Sequence, residues 1–123
     1  MTIRKLTDND GVQYTVSLEE EDLEVRGNII DSGDAEYDRK LEDETIERLS
    51  RGELEAWCCV KVVAEWRGFT GVSYLGGCSL SEEYTKDVAA DEHGMRAEAL
   101  ERLNEALEDT AERLEDLIRQ SAE

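Results

Sequence analysis

The chain has 123 residues, of which 39% are hydrophobic, and a formal charge of -18 from 14 Lys and Arg against 32 Asp and Glu. That length suits a single domain with its own core, and that charge excludes binding nucleic acid through a basic footprint or adsorbing to anionic membranes. No run approaches the ~20 apolar residues of a bilayer span and no secretory leader is readable at the amino terminus, so a cytoplasmic protein is expected. Three cysteines, Cys58, Cys59 and Cys78, are too few and odd in number for a secreted disulfide framework, and reduced thiols are expected.

The chain holds no proline and no Gly/Ser-rich linker, so residues 1–123 read as one domain. Val12, Tyr14, Val16 and Leu18 alternate with polar residues, Glu19 to Asp22 form a charged break, and Leu23, Val25, Gly27 and Ile29 alternate again. This pattern predicts a first hairpin. Asp31-Ser32-Gly33-Asp34 supplies a loop and an N-cap. Tyr37, Leu41, Thr45 and Leu49 then recur at fours up to a stop at Gly52, predicting a helix over residues 35–51.

Residues 54–66, rich in Val, Trp and Cys, and residues 72–80 flank Arg67-Gly68-Phe69-Thr70-Gly71 and predict a second hairpin. Pairing the apolar set Cys58, Val60, Val62, Ala64 and Trp66 with Val72, Tyr74, Cys78 and Leu80 puts Val62 beside Tyr74 and Cys58 beside Cys78. Gly76-Gly77 lacks the context of a phosphate-binding loop and reads as a bulge or a close approach. The opposite face, with Trp57, Cys59, Lys61, Val63 and Glu65, is mixed.

Leu100, Leu103, Leu107, Thr110, Leu114 and Leu117 recur at threes and fours and predict a helix over residues 92–119. Their stripe is wider than a coiled-coil seam, which favours packing on the protein's own sheet. Residues 81–90 are compatible with a further helical turn, and Gly94 interrupts continuity. The expected class is α+β: a four-stranded antiparallel sheet from two hairpins with two helices on one face (ββαββα), ending in a long acidic helix.

Away from that stripe the last helix presents Glu98, Glu101, Glu105, Glu108, Asp109, Glu112, Glu115 and Asp116. Neighbours three or four apart lie about 5 to 6 Å from each other at Cβ, a ladder of carboxylates spaced on the scale of backbone phosphates. A basic nucleic-acid-binding groove could accept such a ladder as a substitute. Against this stands a solvated face stabilised by Glu98 with Arg102, Asp109 with Arg113 and Glu115 with Arg119. Acids also crowd the other exposed elements, beyond the net charge of about 2 to 8 that solubility asks of a small domain. Salt adaptation is a further source of such a surface.

Other chemistries find less support. Gly33 sits at the wrong place for an EF-hand loop, and the adjacent Cys58 and Cys59 point to opposite faces of a strand, so neither calcium nor a thiolate metal site is expected. The one histidine, His93, forms no recognisable dyad with a cysteine, and neither an enzyme nor a cofactor is expected. Trp57 and Phe69 are candidate exposed anchors for a partner.

In composition and in the ladder from Glu98 to Asp116, the chain resembles the small acidic inhibitors encoded by phages and mobile elements, the anti-restriction and anti-CRISPR proteins that act as DNA mimics. The resemblance implies a non-enzymatic protein in the host cytoplasm. As a monomer or homodimer, it would block the basic surface of a nuclease or CRISPR effector and contact neither nucleic acid nor membrane. A structural or adaptor protein that assembles through the hairpin of residues 57–80, with acidity for solubility or salt adaptation, is the alternative.

Overall fold

A computed structural model describes residues 3–122. Strand β1 (Gln13–Glu20) leads to helix α1 (Ala35–Ser50), then to the hairpin of β2 (Cys58–Trp66) and β3 (Phe69–Cys78), the short helix α2 (Lys86–Glu92) and the long helix α3 (Met95–Ser121). Single 3-10 turns occupy Asp8–Asp10 and Leu54–Ala56. The strands make one three-stranded antiparallel sheet in the order β1-β2-β3. The class is α+β, but the expected four-stranded, two-helix arrangement is wrong: among the described residues the sheet has three strands, and α2 adds a third helix.

The missing strand is the second half of the first hairpin, and its backbone bonding explains why. The Val25 carbonyl accepts the N–H groups of Asn28 at 3.1 Å and Ile29 at 3.3 Å, closing a turn around Gly27 at φ +79°. The Gly27 N–H reaches the Glu42 carboxylate at 2.7 Å, and the Leu23 carbonyl accepts the Trp57 indole N–H at 2.7 Å. Backbone groups committed to a turn and to side chains from distant elements cannot form a strand ladder. Only Val25 of the alternating set is buried, while Leu23 is 55% exposed.

Helix α1 starts where expected, because the Asp34 side chain accepts the N–H groups of Glu36 and Tyr37 at 3.1 and 3.2 Å. Helix α3 starts three residues later than expected, after Gly94 in the left-handed region at φ +61°, and runs two residues further. The β2-β3 turn consists of Arg67 and Gly68, both at positive φ (+48° and +85°), a two-residue connection of the I′ kind. It sets Trp66 opposite Phe69, so Ser73 rather than Tyr74 faces Val62. Ser73 is 1% exposed and Tyr74 56%, which corrects the expected register by one residue. Further along, Gly77 at φ +65° and the buried Cys78 and Leu80 return the inward face to even positions, as an inserted residue at Gly76-Gly77 requires. The Cys58 thiol then donates to the Cys78 carbonyl at 3.5 Å, the neighbours that the sequence pairs.

The described residues fall into two compact units, with the divisions inside the strands and after His93. One unit comprises residues 3–15, 62–73 and 94–122, and its interior is Leu6, Val62, Ala64, Met95, Ala99, Leu103 and Ala111. Here α3 lies directly on β3: a Cβ added at Gly71 would sit 2.1 Å from the Leu103 nitrogen and 2.2 Å from the Ala99 oxygen. The other unit comprises residues 16–61 and 74–93, with Val25, Ala56, Trp57, Cys58, Val60, Cys78, Leu80, Ala89 and Ala90 inside. No helix among the described residues is long and apolar enough to cross a membrane.

Candidate partner-binding surface

The twenty-seven residues of α3 give an axis of about 40 Å at the usual rise. Its inner stripe is fixed by the close approach at Gly71 and by Met95, Ala99, Leu103 and Ala111, all buried. The opposite face is thereby forced into solvent. Glu98, Glu101, Glu105, Glu108, Asp109, Glu112 and Asp116 are exposed and Glu115 is half-buried, so the structure brings the whole expected ladder onto one helix.

Among the described residues, local cations engage only its ends. Arg102 pairs with Glu98 at 3.6 Å, and Arg119 pairs with Glu115 at 3.5 Å and Asp116 at 3.4 Å. The pair expected between Asp109 and Arg113 does not form among the described residues. Between the ends, Glu101, Glu105, Glu108, Asp109 and Glu112 have no ion-pair partner among the described residues. A groove of about 430 Å³ runs along this stretch, lined by Lys5, Ala97, Leu100, Asn104 and Glu101, Glu105 and Glu108.

The residue that shapes this groove was not among the sequence candidates. Asn104 accepts the Leu6 N–H at 2.8 Å and donates to the Leu6 carbonyl at 3.1 Å, clamping the amino-terminal segment to α3 as a neighbouring strand would. Its signal was faint: a lone amide in a helix otherwise built from apolar and charged residues. The same unit ties down that segment through Arg4, whose guanidinium, with the Thr7 N–H, holds the Asp10 carboxyl well below the usual carboxylate range. Burial and a hydrogen bond to Asp8 push the Tyr14 phenol up to about 12.

Trp57 is not an exposed anchor, which corrects the sequence expectation. It is 4% exposed, with its indole N–H on the Leu23 carbonyl and its ring against Gly77, where an added Cβ would lie 3.3 Å from the ring. The alternative reading, assembly through the hairpin, thus loses its largest contact residue. Phe69 is half-buried at the start of β3.

Cys58 and Cys78 are buried and Cys59 half-buried; burial pushes the Cys58 thiol up to about 11, away from a reactive thiolate. His93 is exposed, its Nε2 lying 3.4 Å from the Tyr84 hydroxyl. No group of three or more His, Cys, Asp or Glu able to hold a metal occurs among the described residues. Comparison with protein-family models, curated proteins and solved structures finds no match for the chain.

Proposed function

We propose that the protein is a non-enzymatic acidic binding protein that occupies the basic nucleic-acid-binding surface of another protein, a nuclease or CRISPR effector in the host cytoplasm. One observation carries this reading: five neighbouring carboxylates, Glu101, Glu105, Glu108, Asp109 and Glu112, stand on the exposed face of one rigid helix without an ion-pair partner among the described residues. Three- and four-residue steps advance about 4.5 to 6 Å along a helix, the same order as the 3.4 Å axial step of phosphates in one DNA strand. Each carboxylate is within reach of a separate Lys or Arg on the partner. Counterions released from both surfaces would drive binding, which should therefore weaken steeply with salt.

The test is capture from a bacterial lysate on the immobilised protein at low salt, followed by elution with duplex DNA. Release of one basic nucleic-acid-binding protein by the DNA supports the reading. Bound proteins that ignore DNA and salt would overturn it.

A further inference from the structure

In the unit of residues 16–61 and 74–93, a recess opens where the end of β1 meets the end of α1 and the turn that follows it. It measures about 420 Å³ and is lined by Glu20, Glu21, Leu49, Gly52, Leu54 and Trp57. Leu49, Leu54 and the nearly buried Trp57 supply an apolar floor, and Gly52, at φ +85°, leaves one wall without a side chain. The ionisable groups that line it are both acids. Glu21 is held in place because its Oε1 accepts the Gly77 N–H at 2.9 Å, while its Oε2 takes no hydrogen bond among the described residues. Neither Glu20 nor Glu21 has an ion-pair partner among the described residues. The arginines of the adjoining stretch are engaged elsewhere: Arg48 and Arg51 pair with Glu53 at 3.5 and 3.3 Å, and Arg51 also faces Glu47 at 3.8 Å. Leu49 lies in the last turn of α1, so the negative end of the helix dipole adds to the field of the two carboxylates.

We infer that this recess binds an organic cation, a guanidinium or ammonium group on an apolar stem, with its charge at Glu20 and Glu21 and its stem on Leu49, Leu54 and Trp57. Charge and lining together point to that class. An anion or a neutral apolar molecule would draw two carboxylates out of water without a partner, which is costly. A bare inorganic cation would leave the apolar floor unused. The volume lies within the roughly 300 to 1,000 Å³ of small-ligand sites, room for an arginine side chain or a linear polyamine. Such groups occur on the arginines and lysines of proteins and on free aliphatic amines, and the test separates the two sources. The inference uses no residue of α3 and stands apart from the partner proposed above.

The probes are Nα-acetyl-argininamide, spermidine and bare guanidinium, titrated at about 0.15 M ionic strength, where screening suppresses the general attraction of a chain of charge -18. Nuclear magnetic resonance follows the backbone amides of Glu20, Glu21 and Gly52 and the indole N–H of Trp57. The expected result is a saturable shift of these signals with argininamide or spermidine, and none with bare guanidinium. E20Q/E21Q, in which the new amide oxygen still accepts the Gly77 N–H, loses at least tenfold in affinity, whereas E105Q/E108Q, which removes equal charge from α3, binds as the wild type does. Glu20→Gln alone, at an exposed position, shows the same trend if the double variant folds poorly. Tighter binding of argininamide makes the ligand a protein arginine and tighter binding of spermidine makes it a free polyamine; both results support the site. Unchanged affinity in E20Q/E21Q, equal losses in the two double variants, equal binding of bare guanidinium, or no saturable shift with any probe would overturn it. None of these results bears on partner capture by α3, so the two readings fail separately.

Discussion

Helices α1 and α3 are both rich in acids, yet they use them in opposite ways. On and around α1 the carboxylates are spent within the molecule. Asp34 caps the helix, and Asp38 accepts the Ser32 hydroxyl at 2.6 Å. Glu42 holds the Gly27 N–H and Arg26, Asp43 also holds Arg26, and Glu47 faces Arg51 at 3.8 Å. On α3 the middle five acids have no such employment. The same residue type thus builds a loop in one region and a surface in the other, and pairing rather than exposure separates the two roles: Asp43 and Glu47 are exposed yet engaged by Arg26 and Arg51, whereas Glu101, Glu105, Glu108, Asp109 and Glu112 have no ion-pair partner among the described residues. Net charge alone does not say which acids are available to a partner.

The contrast can be broken most forcefully at the tryptophan that completes the loop beside α1. Trp57→Ala removes a buried ring and should cost about 3 to 5 kcal/mol. Trp57→Phe, which keeps an aromatic ring but frees the Leu23 carbonyl, should cost less; urea denaturation of both variants separates packing from the hydrogen bond. Neither variant should alter partner capture if it is assayed while folded.

Next in size, Glu42→Ala leaves the Gly27 N–H and Arg26 without their acceptor and should cost about 2 to 3 kcal/mol, whereas Glu105→Ala should stay within about 0.5 kcal/mol. Equal losses would erase the distinction between the two helices. Smaller still is Ser73→Ala. Ser73 is 1% exposed and its hydroxyl has no hydrogen-bond partner among the described residues, so its removal should leave stability unchanged or raise it by about 1 kcal/mol. A clear loss of stability on denaturation would show that the hydroxyl has a partner.

A final sharpening concerns pH. The Tyr14 phenol is held protonated up to about 12 in the folded protein, above its ordinary value near 10. The stability it contributes is full below pH 10 and lost as pH rises from about 10 toward about 12. Ultraviolet titration should show one tyrosine ionising late, and Tyr14→Phe should remove that step.

The alternation of β2 was legible because it is a local pattern that ends in burial, with Cys58, Val60, Val62 and Ala64 all inside, and the threes and fours of the α3 leucines were legible as a helix. Residues 23–29 were not. Their alternation imitates a strand, but the backbone is claimed by Glu42 and Trp57, which lie 15 and 34 residues from the groups they bind, and no local pattern carries that information. The hairpin register slipped by one because the left-handed Arg67 and Gly68 close a two-residue turn where the apolar sets alone allowed a longer one. Trp57 was misplaced because it precedes β2 and is oriented by a carbonyl and a glycine rather than by strand alternation. The acid ladder was read correctly as a face, but the clamp at Asn104 and the exposure of Leu114 and Leu117 at the end of the leucine stripe depend on what packs against α3.

The most direct test sets matched charge reversals on the two helices against each other. E105K/E108K/E112K on α3 and E36K/E44K/E47K on α1 change the net charge equally, and all six positions are exposed. With circular dichroism confirming the fold of both, capture of a DNA-displaceable basic protein should vanish for the α3 variant and survive for the α1 variant. Equal loss in both, or survival in the α3 variant, would contradict the claim that the carboxylates of α3 form the binding surface.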